Sequence, residues 1–280
     1  MRPIDTLKAP WRWGTTSYIL PDDILPNVHY LAPLIDDVEL VLFESEQLSN
    51  LPSPETIGQL KRIAGLHRLS YTIHFPLDVF PGSLDESTRR TSVGRYHQIR
   101  SLVSPLEPFA YILHLTPESY GSSPATDITA WHRQLDRSLA EMMDDGWDPR
   151  MLCVETLSYP FHFVMDLVEK YGLAVTLDIG HVWLGGFDAQ RLARELLPSA
   201  RVIHLHGVAD GHDHLGLGST QKDLRDDFLA ALARQIASDG QQRVLTLEVF
   251  DQPALEESLL VVDEFLRVDC GHAMKGAFNE

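Results

Sequence analysis

The sequence predicts a parallel (β/α)8 TIM barrel folded as a single domain over residues 1–280, and three observations carry that expectation. Eight short apolar segments, rich in branched and aromatic residues and bounded by turn formers, recur along the chain as buried parallel strands do. Each is followed by a stretch whose apolar positions fall three or four apart, the spacing of one helix face. The open doubly wound alternative carries a Gly-rich phosphate loop after its first strand, and "WGTTSYIL" is not one.

The elements follow in order. Strand one is expected at 12–19 ("RWGTTSYI") with a short helix at 24–35, and strand two at 38–44 ("VELVLFE") with a helix at 53–68 opened by a capping signature at Ser53. Strand three at 70–76 ("SYTIHFP") leads to a helix at 85–103, and strand four at 110–116 ("AYILHLT") to one at 130–145. Strand five at 151–157 ("MLCVETL") leads to 161–172, and strand six at 173–179 ("LAVTLDI") to 189–197. Strand seven at 201–207 ("RVIHLHG") leads to 223–240, and strand eight at 243–250 ("RVLTLEVF") to a closing helix at 256–268. No linker rich in Pro, Gly or Ser divides the chain, and the aperiodic tail 268–280 is expected to be partly disordered.

Composition narrows the class. A hydrophobic content of 44% with 22% charged residues supports a large buried core. The two cysteines, Cys153 and Cys270, are too few for a disulfide framework, which points to a reducing, cytoplasmic setting. The opening "MRPIDTLKAPWRWG" lacks the apolar centre of a secretion signal, and no apolar run reaches membrane-spanning length. A formal charge of −17 argues against tracking a nucleic-acid backbone.

In a barrel, catalytic groups come from the C-terminal ends of several strands. Strands two to five end in Glu44, His74, His114 and Glu155. Strand six ends in Asp178 with His181 in the next turn; strand seven ends in His204 with Asp210 and His212 in its loop; strand eight ends in Glu248. Any one of these alone is more simply a packed histidine or an ion-paired carboxylate. Gathered at one rim, they would be costly to bury unless cations neutralise them. His29, His67, His97, His132 and His162 fall in helical stretches and are set aside. His206 is expected to point away from the site, and His214 to stand behind the ligands.

Five imidazoles and four carboxylates without a thiolate suit zinc, manganese or iron(II). That is too many donors for one ion, so up to three divalent ions are expected, with Glu155 and Glu248 as bridges. Clustered ions of this kind suit phosphodiester hydrolysis by activated water.

The order His, His, Glu, then "DIGH", "HLHG…DGH…LGLG" and "LE" over residues 70–250 is similar to that of the endonuclease IV-type barrels, relatives of the xylose isomerases. The resemblance implies a first metal on His74, His114 and Glu155, and a second on Glu155, Asp178, His204 and Glu248. It implies a third on His181, Asp210 and His212. The single-metal epimerases of that superfamily need only the second set and usually place an arginine after the strand-seven histidine, which "HLHGVADGHDH" lacks. The stretch "GTTSYILPDDILPNVHYLAPLIDDVELVLFES", with "NLPSPETIGQL" and "YTIHFPLDVFPG", resembles the cobamide-remodelling phosphodiesterases. That likeness implies a corrinoid nucleotide as substrate, with Glu44 and the segment Thr15, Thr16, Ser17 and Tyr18 lining its side.

The expected function is metal-dependent cleavage of the phosphodiester in a corrinoid nucleotide loop, with Glu155, Glu248 and His114 as catalytic residues. The alternatives are a single-metal sugar isomerase or epimerase, an abasic-site endonuclease, and a corrinoid or metal binder without turnover.

Overall fold

The branched and aromatic runs of the sequence pair side by side as the pattern predicts. A computed structural model describes residues 11–45, 48–118 and 123–265. The expected tail 268–280, with Cys270, lies outside the described residues. The barrel strands are β1 (Trp11–Thr16), β2 (Asp37–Val41), β3 (Ser70–His74), β4 (Ala110–Leu113), β5 (Leu152–Glu155), β6 (Ala174–Asp178), β7 (Ala200–Leu205) and β10 (Arg243–Leu247). All pair in parallel, neighbour to neighbour, and β10 closes the barrel on β1.

Each strand is shorter than its apolar run. The ladder stops at Val41, His74, Leu113, Glu155, Leu205 and Leu247, yet Leu42, Phe75, Leu115, Leu157 and Val249 beyond it are still buried. Those residues pack between strand ends and helices, so the apolar signal outlasts the hydrogen-bonded strand. The chain turns outward where the polar rim begins.

The helices wrap the barrel with side-chain caps at several starts. Ser53 accepts the Thr56 N–H ahead of α2 (Pro54–His67), and Asp85 accepts the Thr88 N–H ahead of α3 (Glu86–Val103). Asp127 does the same for α4 (Ile128–Asp144), and Gly172 ends α5 (Met165–Tyr171) in the left-handed region. The short α1 (Ile24–Leu31), α7 (Ala189–Leu196), α8 (Lys222–Asp239) and α9 (Gln252–Phe265) complete the expected set.

Two elements were not expected. The short α6 (Ile179–Leu184) starts directly from the end of β6, capped by Asp178 through the His181 N–H at 2.7 Å. After β7 the chain forms a hairpin of β8 (Gly207–Ala209) and β9 (His212–Leu215), joined by Asp210 and Gly211 at φ 52° and 77°. Two positive-φ residues are the signature of a type I′ turn, for which Asp-Gly is a preferred pair. Beyond it, Glu257 of α9 occupies the space a Cβ would need at Gly216 and Gly218, so "LGLG" packs directly on that helix.

Alternation along the strands sends one set of side chains inward. At the N-terminal end, Arg201 donates to the Phe109 carbonyl at 3.0 Å and stacks 4.2 Å from its ring, with Arg12 at 5.7 Å. Above this closure the interior is polar, with Asp37, Glu39, Thr72, Thr176 and Thr246 all buried. The acidic rim stands at the opposite end. Among the described residues no helix is long and apolar enough to cross a membrane.

Candidate metal centre

Parallel strands in register bring their ends to one level. Asp178 pairs with His204 across β6 and β7, and His204 with Thr246 across to β10, two residues short of Glu248. Glu155 comes from the end of β5. All four side chains are at most 4% exposed. Nδ1 of His204 lies 3.0 Å from Glu248 Oε2, 3.5 Å from Asp178 Oδ2 and 3.6 Å from Glu155 Oε1. These same four atoms are buried without a hydrogen-bond partner.

That combination tests the fit of a cation. Tetrahedral ligands about 2.0–2.2 Å from a zinc-sized ion stand roughly 3.3 Å from one another, close to the separations from His204. Four buried polar atoms left unpaired at such spacing would be costly without an ion. The donor set fits a divalent metal.

A second group adjoins the first. Nε2 of His114 is 2.8 Å and Nε2 of His74 3.5 Å from Oε2 of Glu155. His74 turns its Nδ1 to the Phe75 carbonyl at 2.8 Å, which leaves Nε2 for the site. Glu155 therefore divides its oxygens, Oε2 toward His74 and His114 and Oε1 toward His204. That is the disposition of a bridging carboxylate.

Around His181 lies a third cluster, with ring nitrogens of His181, His206 and His214 within 4.8 Å of one another. Nε2 of His181 and Nε2 of His214 are each 3.9 Å from Asp213 Oδ2. Asp178 joins this cluster to the first group, since its Oδ2 is 3.2 Å from His181 Nδ1.

The electrostatics favour positive charge at His74 and His181. Burial alone would lower the His74 imidazole, but the hydrogen bond and charge of Glu155, with Glu39 and Glu248, push it up to about 9. His181 is likewise raised against its burial, by Asp178 and Glu155, to about 10. Burial opposes ionisation of Glu155, yet the charges of His114 and His204 hold it well below the usual carboxylate range. Protons on these imidazoles fill the role that metal ions would take.

The structure brings together His74, His114, Glu155, Asp178, His181, His204 and Glu248. It does not bring in Asp210 or His212. Both are exposed at the hairpin tip, because the I′ turn uses Asp210 as its first central residue. His214 stands at the site in their place. Its left-handed backbone, at φ 52°, turns the ring inward against His206 (4.3 Å) and Phe250 (5.0 Å). The expectation that His206 points away is corrected: it is fully buried with Nε2 3.2 Å from Asp178 Oδ1. Side chains two apart on a strand share a face, so His206 follows His204 inward.

Glu39 is the residue that sequence reasoning missed. It is fully buried on β2, and its Oε2 is 3.0 Å from Nε2 of His204. A carboxylate there fixes the proton on Nε2 and frees Nδ1 for the site. The signal was present: an acid in the middle of "VELVL", where a buried strand tolerates charge only with a partner.

The segment expected to line the substrate is mostly engaged in holding strands. The hydroxyls of Thr15 and Thr16 donate to the carbonyls of Leu247 (2.7 Å) and Val249 (2.6 Å), and Ser17 Oγ accepts the Val41 N–H at 3.1 Å. Tyr18 packs edge-on to Phe43 at 5.5 Å, and Glu44 pairs with Ser49 past the end of β2. A cavity of about 620 Å³ opens over these candidate metal groups. Thr16, Tyr18 and Glu44 are not part of its wall. Its lower wall holds His74, His114, Glu155 and Glu248; its mouth carries Leu77, Leu184 and Phe250, which are 50%, 40% and 41% exposed. Among the described residues, no lysine or arginine lines it.

No protein-family model matches the chain, and no curated protein matches it. Solved structures do. A D-tagatose 3-epimerase-like protein superposes with a TM-score of 0.75 at 19% identity, over 94% of this chain and 99% of that one. D-Psicose 3-epimerase from Clostridium cellulolyticum gives 0.71 at 16% identity, over 92% and 99%. Endonuclease IV from Thermus thermophilus gives 0.66 at 18% identity, over 91% and 99%. The likeness establishes the fold, a xylose isomerase-like (β/α)8 barrel.

Proposed function

We propose that this chain is a metal-dependent phosphodiester hydrolase whose substrate is the nucleotide loop of a corrinoid. The observation that carries the reading is the divided Glu155 carboxylate, with His74 and His114 on one oxygen and the His204 group on the other. A single-ion enzyme needs only the His204 group; two further histidines converging on the bridge argue for more than one ion.

Glu155, Asp178, His204 and Glu248 would hold one divalent ion, His74, His114 and Glu155 a second, and His181 with His214 a third. Zinc suits this mixture of imidazole and carboxylate, and manganese or iron(II) would be accepted. Such ions, when bound, lower the pKa of water toward neutrality and neutralise charge developing on phosphoryl oxygens. His114 lines the cavity with its Nε2 on Glu155, so the nitrogen that would hold the second ion borders the substrate space. Glu248 and Glu155 keep the centre anionic enough to retain its cations. The apolar mouth supports a substrate with a broad hydrophobic face, and the lack of lysine and arginine among the described residues of the wall speaks against following a DNA backbone.

A second reading, a sugar isomerase or epimerase using one ion, is favoured by the completeness of the Glu155, Asp178, His204 and Glu248 group alone. The similar structures include epimerases as well as an endonuclease, so the fold supports either chemistry. Incubating the zinc-loaded protein with an intact cobamide, a ketohexose and an abasic duplex, with products read by mass, separates these readings. Release of a corrinoid without its nucleotide base is expected. Ketose epimerisation or duplex nicking alone would replace the proposal. His74→Ala should cost at least about 100-fold in phosphodiester turnover and would leave a one-ion epimerase almost untouched.

A further inference from the structure

The three imidazoles of the third cluster are not equivalent. His181 places Nδ1 3.2 Å from the Thr156 carbonyl, and His214 places Nδ1 3.3 Å from the Glu248 carbonyl. In both rings a proton on Nδ1 has a carbonyl to meet, which leaves Nε2 as the nitrogen that would face a cation. His206 is reversed. Its Nδ1 accepts the backbone N–H of His214 at 2.9 Å, so that nitrogen carries no proton. The Gly207 carbonyl, 3.4 Å from the same atom, is too distant to compete. With Nδ1 accepting, the proton of a neutral His206 must sit on Nε2, which lies 3.2 Å from Asp178 Oδ1 in a charge contact without hydrogen-bond geometry, and has no lone pair to offer a cation.

The ring is also clamped. Its Cε1 lies where a Cβ at Gly180 would fall, 1.9 Å away, and its other face stacks on the His214 ring at 4.3 Å. One imidazole thus links the backbone of the β8–β9 hairpin, the first turn of α6 and the Asp178 carboxylate.

On the metal-centre reading above, we propose that His206 is a positioning residue and not a ligand: its Nε2–H faces Asp178 while its Nδ1 holds His214 in place. Asp178 is thereby oriented toward His204 and His181, and the hairpin delivers His214 to the site.

Two measurements test this. Ring nitrogen-15 spectra of the protein, with the His206 signal assigned by its loss in His206→Gln, should show the Nε2–H tautomer both without metal and with zinc. A proton on Nδ1, or a metal-shifted Nε2, would overturn the proposal even if the protein hydrolyses no corrinoid. In parallel, zinc is titrated and counted by elemental analysis. A glutamine amide can offer an acceptor to the His214 N–H and a donor to Asp178 but is a poor ligand. His206→Gln should therefore keep the wild-type number of zinc equivalents, with affinity within about tenfold. His206→Leu should weaken zinc by about 10–100-fold. Loss of one equivalent in His206→Gln, or wild-type affinity in His206→Leu, would refute the positioning role. Absence of corrinoid turnover with the expected tautomer would instead count against the hydrolase reading alone.

Discussion

At the scale of single residues, two rings of the candidate centre show one nitrogen to a fixed partner and the other to the site. His74 does so through the Phe75 carbonyl, and His204 through Glu39. Glu39 never reaches the cavity wall, yet its charge sets which nitrogen of His204 is free. Glu39→Gln keeps the shape and an acceptor oxygen but removes the charge. It should lower zinc affinity by roughly tenfold or more while leaving the number of bound ions unchanged, since partners of this kind are worth about 10–100-fold. Calorimetric titration with zinc checks this; a lost equivalent would mean that Glu39 is itself a ligand.

At the scale of elements, the site depends on how tightly α6 sits on the end of β7. Gly180 lies inside α6 without a positive φ, so alanine there should favour the helix by about 1 kcal/mol. The His206 ring occupies the position of the added methyl, and overpacking of that kind costs about 1–3 kcal/mol. Gly180→Ala should therefore lower the unfolding free energy and weaken metal binding together. A more stable variant with unaltered metal affinity would show that the ring can move aside freely. The β8–β9 hairpin carries the complementary lesson. Its Asp210-Gly211 turn places His212 outward, and the left-handed backbone of His214 turns the next histidine of the motif inward.

At the scale of the whole molecule, the fold encloses more acid than it can leave unpaired. Asp37, Glu39, Glu155, Asp178 and Glu248 are all buried within one barrel, part of a formal charge of −17. Burial pushes Asp37 up to about 6 despite its bond to Ser70. Without metal, the charged His74 and His181 balance the others. Both have folded-state values above the ordinary 6.5, at about 9 and about 10. Their stabilisation is complete below pH 6.5 and is lost as pH rises through 9 to 10. Chelated protein should thus show a melting temperature that falls across that window. The zinc-loaded protein has no such protons to lose and should melt at a nearly constant temperature there. At a hundredfold excess over Kd, zinc should stabilise by about 2.7 kcal/mol, roughly 5 °C or more in Tm for a chain of this size. Thermal melts with and without chelator read both effects.

Much of this was legible in the sequence because a buried parallel strand and an amphipathic helix are local patterns. The eight runs, their order, and the acids and histidines at their ends follow from which side chains water rejects and where a strand must stop. His74, His114, Glu155, Asp178, His204 and Glu248 could be named for that reason. Which histidine of "HLHGVADGHDH" enters the site could not. That choice rests on a turn type, one left-handed residue and the proton of one ring, all settled by contacts with α6 and β10. Glu39 stayed hidden for the same cause: its partner, His204, is 165 residues away and meets it only when the barrel closes. Local chemistry chose the candidates, and closure of the sheet decided which atoms face one another.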